Sequence, residues 1–216
     1  MAKQIKYGQD ARHALESGIN QLQELKEKNI AVSRNTIIEY ATGQLLNKAG
    51  ISQAEVNKPE ITQLPLRLQM LQYDQIDASF LPDPAASIAM NARHRSLIST
   101  QELGIDFTVT AFSREAINEK RREIELLITG YNLGINYIKM HPQKEWKQVL
   151  IEIGVPENLT GLIALPVYRK AERPSADALD KAVTWLKTNN RIPQTYSGYK
   201  SLIDTTFIKT NSTTIK

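Results

Sequence analysis

Between residues 29 and 99 short apolar, β-branched runs alternate with stretches of helical spacing, and this alternation restricts the chain more than any other feature. The spacing predicts strands at 29–33, 59–63, 76–81 and 96–99, and helices at 36–49, 65–73 and 84–92. Strands interleaved with helices of this length bury both faces of a sheet, so the expectation is an α/β fold with a mostly parallel sheet. Gly50 is placed to end the first helix, and Pro65 and Pro84 stand at helix starts, where a missing N–H costs nothing.

Three of the strand ends lead directly into helix N-termini on one edge of that sheet. Ligands of open α/β sheets bind beyond the carboxyl ends of the strands, so those turns are the expected cleft. In the first turn, Ser33-Arg34-Asn35-Thr36, the unpaired N–H groups and positive dipole end of a helix can hold an anion or a carbonyl oxygen. The plainer role of Asn35 or Thr36 is to cap its own helix. After Gly104 the pattern becomes a strand at 107–112 followed by helices at 114–119, 121–140, 143–153 and 175–189. The segment 154–173 reads as loop and short helix, and 209–216 as a disordered polar tail.

Composition narrows the function. With 216 residues, 41% of them hydrophobic, the chain can bury a sizeable core, and no apolar run approaches a membrane span. A net charge of +4 is spread among interleaved acids and bases, apart from Lys120-Arg121-Arg122, which does not predict nucleic acid as a partner. There is no cysteine, hence no thiol nucleophile or disulfide. The three histidines, His13, His94 and His141, lie on separate predicted elements without metal-ligand spacing, and no phosphate-binding loop, dinucleotide fingerprint or nucleophile elbow is present. Neither an enzyme nor a cofactor is expected.

Two resemblances add to this. Ala2-Lys3, Lys6-Tyr7-Gly8, Asp10-Ala11-Arg12 and Gly18-Ile19-Asn20 resemble the N-terminus of the group I chaperonins. With Ala11, Leu15, Ile19 and Leu22 at helical spacing, residues 1–22 are read as a short lead and an amphipathic helix: a foreign leader first, a fusion junction second, a coincidence of a helical start third. The second resemblance is carried by Ile30 to Thr36, Leu46 to Ile51, Leu66 to Leu71, Gln75 to Pro84, Phe107 to Phe112 and the helix ending at His141-Pro142. Their residues and order resemble the solute-binding proteins of ABC importers, in the branch for nitrate, sulfonates, taurine and thiamine-pyrimidine precursors.

That resemblance implies a type II periplasmic-binding-protein-like fold. It places a leader and linker at 1–28, a complete second lobe at 29–103 and the C-terminal part of the first lobe at 104–208, the N-terminal part of lobe one having no counterpart. It also implies a small anion or pyrimidine-like solute, ABC transporter membrane subunits as partners, and an extracytoplasmic site of action, although the N-terminus carries no secretory signal pattern. Ser33, Arg34, Asn35, Thr36 and Asp83 match the ligand-contacting turns: donors at 35 and 36, an acceptor at Asp83, a cation at Arg34. Asp83 serves equally well as the start of its own helix. The alternative is a non-binding, truncated or chimeric chain whose incomplete lobe drives self-association into a homo-oligomer. A related enzyme of thiamine-pyrimidine synthesis shares the fold but uses a cysteine-rich motif, which this chain lacks.

Overall fold

A computed structural model describes residues 3–5, 12–16, 18–105, 109–152, 155–161, 163 and 168–208. In chain order the strands are β1 (Lys3–Ile5), β2 (Arg12–Glu16), β3 (Ile30–Ala31), β4 (Ala78–Pro82), β5 (Arg95–Ser99) and β6 (Thr110–Phe112). The helices are α1 (Ile37–Ala49), α2 (Leu64–Gln72), α3 (Ala85–Asn91), α4 (Arg114–Glu119), α5 (Arg121–Met140), α6 (Lys147–Glu152) and α7 (Ala176–Thr188). The chain is α/β and divides into two units, residues 10–106 with 143–166, and residues 1–9 with 107–142 and 167–216.

The first of these units is built on a four-stranded sheet of order β3-β4-β2-β5. β3 and β4 are parallel, with Ile30 opposite Ala78 and Ala31 opposite Ser79. β2 is antiparallel to both β4 and β5, with Arg12 opposite Pro82 and His13 opposite Leu81 and Ser99. The sheet is therefore mixed rather than mostly parallel, and the segment expected as an amphipathic helix supplies one of its two inner strands. Five residues cannot hold a helix against tertiary demand, and as a strand they pair with β4 on one side and β5 on the other. The strand expected at 59–63 shrinks to two parallel bridges, Asn29 with Asn57 and Val32 with Glu60. Pro59 is the cause: its carbonyl accepts from Val32 N–H at 3.0 Å, but it has no N–H for the preceding rung.

β4 is buried on both faces, as a strand covered by helices must be. Leu81 joins Ala31, Ile61, Leu71, Ile76, Ala85, Ala86 and Ala89 in one cluster that fixes α2 and α3. Phe80, on the other face by the two-residue period, is fully buried too. α1 buries Ile38, Tyr40, Ala41, Leu45, Leu46 and Ala49. It stops where Gly50 turns left-handed at φ 70°, letting Ile51 N–H reach Leu46 O at 2.9 Å. Arg67, expected to extend to solvent or to pair with Glu60 or Asp74, is only 5% exposed. Glu60 pairs instead with Arg34, at 3.3 Å.

In the second unit β1 pairs antiparallel with β6, and Ser113 accepts from Ala116 N–H at 3.0 Å to start α4. Ile117, Ile124, Ile128 and Phe207 form its core, with the Arg121 guanidinium 4.3 Å above the Phe207 ring. The predicted 107–112 strand is described from Val109 onward. Parts of the chaperonin-like segment and of 154–173, and all of the 209–216 tail, lie outside the described residues.

Candidate functional site

Parallel pairing of β3 and β4 makes their chain directions coincide, so the residues after each strand leave by the same edge. β5 also runs with β4, since both oppose β2. Three turns thus share the carboxyl edge: Ser33 to Thr36, Asp83-Pro84 and Ser99 to Glu102.

The first turn is organised by hydrogen bonds to α1. Ser33 is buried, and its carbonyl accepts from the Thr36 hydroxyl at 2.6 Å. The same hydroxyl oxygen accepts from Ile38 N–H at 3.1 Å, which makes Thr36 the N-cap. Asn35 is left-handed at φ 60°, a conformation that asparagine tolerates better than most residues, and its N–H donates to Glu39 Oε2 at 2.6 Å. Glu39 thereby sets a carboxylate at the positive end of the helix. Electrostatically that carboxylate competes with any free anion seeking the same N-terminus. Arg34 is exposed and tied to Glu60.

Asp83 stands one residue beyond β4, joined to Pro84 by a cis peptide. Among the described residues its hydrogen bonds go to one oxygen: Oδ1 accepts from Ser87 N–H at 3.0 Å and from the Ser87 hydroxyl at 2.5 Å. The carboxylate thus anchors the first turn of α3, and Oδ2 faces no such demand. At the end of β5, Glu102 Oε2 accepts from both Ser99 N–H and the Ser99 hydroxyl, each at 2.7 Å. Ser99 is buried, with Thr100 next to it.

Of the predicted residues, the structure joins Ser33 to Thr36 and Asn35 to Glu39. Arg34 is turned to Glu60, and Asp83 lies at the end of the neighbouring strand. Glu39, Ser87, Ser99 and Glu102 were missed. Their signals were present in the sequence as Asp83-x-x-x-Ser87 and Ser99-x-x-Glu102, short acceptor-donor spacings of the capping kind.

The histidines stand apart: His94 Nδ1 lies 3.0 Å from Glu16 O, and His141 stacks on Tyr137 with ring centroids 4.0 Å apart. Among the described residues no three His, Asp or Glu side chains converge on a metal position, and no helix is long and apolar enough to cross a membrane.

A family model described as NMT1/THI5 like matches residues 13–145, a span that contains all five predicted site residues. No curated protein sequence matches the chain. Among solved structures, the periplasmic aliphatic sulphonate binding protein SsuA of Escherichia coli superposes with a TM-score of 0.74 at 14% identity, over 93% of this chain and 71% of that one. The alkanesulfonate-binding protein SsuA of Xanthomonas axonopodis pv. citri, bound to MOPS, gives 0.71 at 17% identity over 90% and 70%. The desulfurization enzyme DSZB, as a Cys-to-Ser mutant in complex with biphenyl-2-sulfinic acid, gives 0.64 at 13% identity over 95% and 77%. At these identities the likeness establishes the fold, that of periplasmic binding proteins.

Proposed function

The chain belongs to the NMT1/THI5-like family, and from that premise we propose that it is the solute-binding component of an ABC-type importer. It captures a small solute outside the cytoplasmic membrane and hands it to the importer's membrane subunits. The observation that carries this reading is the shared carboxyl edge, where Ser33 to Thr36 and Asp83 stand at the ends of adjacent parallel strands. Ser33, Asn35, Thr36 and Asp83 supply the contacts, with Arg34 at the rim.

The polar groups at this edge favour one kind of solute. Glu39, Asp83 and Glu102 bring carboxylates to it, whereas Arg34 is committed to Glu60. A solute with amine or amide donors, pyrimidine-like in shape, suits such a wall better than a bare anion, which the carboxylates repel. Binding stands ahead of catalysis. DSZB shares the fold and is described as a Cys-to-Ser mutant, whereas this chain has no cysteine to act as nucleophile.

Titration calorimetry with an aminopyrimidine, an alkanesulfonate and nitrate tests the reading. The expected result is saturable heat with the aminopyrimidine, weakened about tenfold or more in Asp83→Asn, as loss of a charge-assisted hydrogen bond requires. Heat with the sulfonate alone would reverse the choice of solute. No saturable response to any of the three would sink the solute-binding reading for this chain.

A further inference from the structure

Within the second unit, a trough of about 640 Å³ runs between α5 and the segments at 170–171 and 206–208, a volume usual for a small-molecule site. Both of its walls are fastened to the helix. The Tyr131 hydroxyl donates to Arg169 O at 3.1 Å and Ala171 N–H donates to Asn132 Oδ1 at 2.8 Å, which holds the first segment. Arg121 holds the second, since its Nη2 donates to the Thr206 hydroxyl at 3.0 Å and its guanidinium covers the Phe207 ring. Between these ties lie Ile128 and Phe207, both buried, as an apolar floor.

The charges lining the trough stand at its two ends. Arg122 lies in the first turn of α5, and Lys170 lies beside Ala171, which is bonded to Asn132. Arg122 and Asn132 are about 15 Å apart along the helix axis and about 80° apart around it, so both face the trough from one side of α5. Among the described residues neither Arg122 nor Lys170 makes an ion pair, whereas Glu125, the acid in the lining, is paired with Arg121 at 3.3 Å. Ala171 N–H needs an acceptor and so fixes Asn132 Oδ1 towards itself, which leaves Nδ2 as a donor with no hydrogen bond among the described residues. We propose that the trough is a second binding site, for a linear dianion with an apolar middle, a medium-chain α,ω-dicarboxylate. One carboxylate meets the Lys170 ammonium and the Asn132 amide, the other meets Arg122, and the chain lies over Ile128 and Phe207. A cation at either end is repelled, and a monoacid leaves one of the two cations unmatched. The site belongs to a different unit from the carboxyl edge of the sheet and does not rest on solute binding there.

Titration calorimetry of the whole chain with decanedioate, decanoate and decanediamine tests the proposal. The expected result is one decanedioate per chain, bound about tenfold more tightly than decanoate, as one further charge-assisted contact requires, and no saturable heat with the diamine. Lys170→Ala should weaken decanedioate about tenfold, and Arg122→Ala should bring it down to the affinity of decanoate. Both side chains are exposed, so the circular dichroism spectrum should be unchanged in either variant. No saturable heat with decanedioate, equal affinity for the diacid and the monoacid in the unaltered chain, saturable binding of the diamine, or a diacid affinity indifferent to either substitution would overturn the proposal.

Discussion

At the scale of single residues, the candidate edge is made of side chains that already have structural work, and this sets what substitution there can reveal. The Thr36 hydroxyl both donates to Ser33 O and accepts from Ile38 N–H. Thr36→Ala should therefore cost about 1 kcal/mol of stability in urea unfolding, with or without solute. A loss of affinity exceeding that stability change would mark the hydroxyl as a ligand contact. Glu16 offers the opposite case, a carboxylate that is 2% exposed and remote from any proposed ligand. It accepts from Arg95 Nε at 3.0 Å and from Ile19 N–H, while Arg95 Nη2 also reaches Ile19 O at 3.0 Å. Glu16→Ala leaves the buried Ile19 N–H without its acceptor and the Arg95 guanidinium without its ion pair, so the expected loss is about 2 kcal/mol, read from the shift of the urea midpoint. A shift under a few tenths would mean that water or another acceptor replaces the carboxylate.

At the scale of elements, the short 3-10 helix Gln53–Glu55 carries a capping box, in which Ser52 accepts from the first turn and Glu55 accepts from Ser52 N–H. The Lys26 ammonium, hydrogen-bonded to Glu55 at 2.8 Å, holds that carboxyl below its ordinary value, and Glu55 in turn raises Lys26. A carboxyl lowered on folding contributes stability that is present above its unfolded pKa and lost as pH falls through the folded one. NMR titration of the Glu55 side chain should give a midpoint below that of an ordinary glutamate, and Lys26→Ala should move it upward. α1, α2, α3, α4 and α5 could be read from the sequence because their signals are local: Thr36 and Gly50 around α1, Pro65 in the first turn of α2, Pro84 before α3, Ser113 before α4. β2 could not be read. Ala11, Leu15 and Ile19 have a helix's spacing, and what decides the matter is pairing with residues 78–82 and 95–99, far along the chain. The turns of the candidate site were legible as turns, whereas the commitment of Asp83 to Ser87 and of Arg34 to Glu60 depends on side-chain placement that spacing does not encode.

At the scale of the whole molecule, solute binding and stability are linked. A solute that binds only the folded chain adds RT ln(1 + [L]/Kd), about 2.7 kcal/mol at a hundredfold excess over Kd. Thermal unfolding should accordingly rise by several degrees with an aminopyrimidine and by at most about half as much in Asp83→Asn at the same concentration, a comparison that calorimetric heats alone do not make. The position of β2 in the sheet also has a kinetic consequence. Arg12 to Glu16 are made early but pair only with strands made some sixty to eighty-five residues later. Until β5 has left the ribosome, β2 lacks one of its two lateral partners and that edge is open to other chains, so closure of this sheet waits on long-range encounter and is slow relative to the formation of α1 beside it.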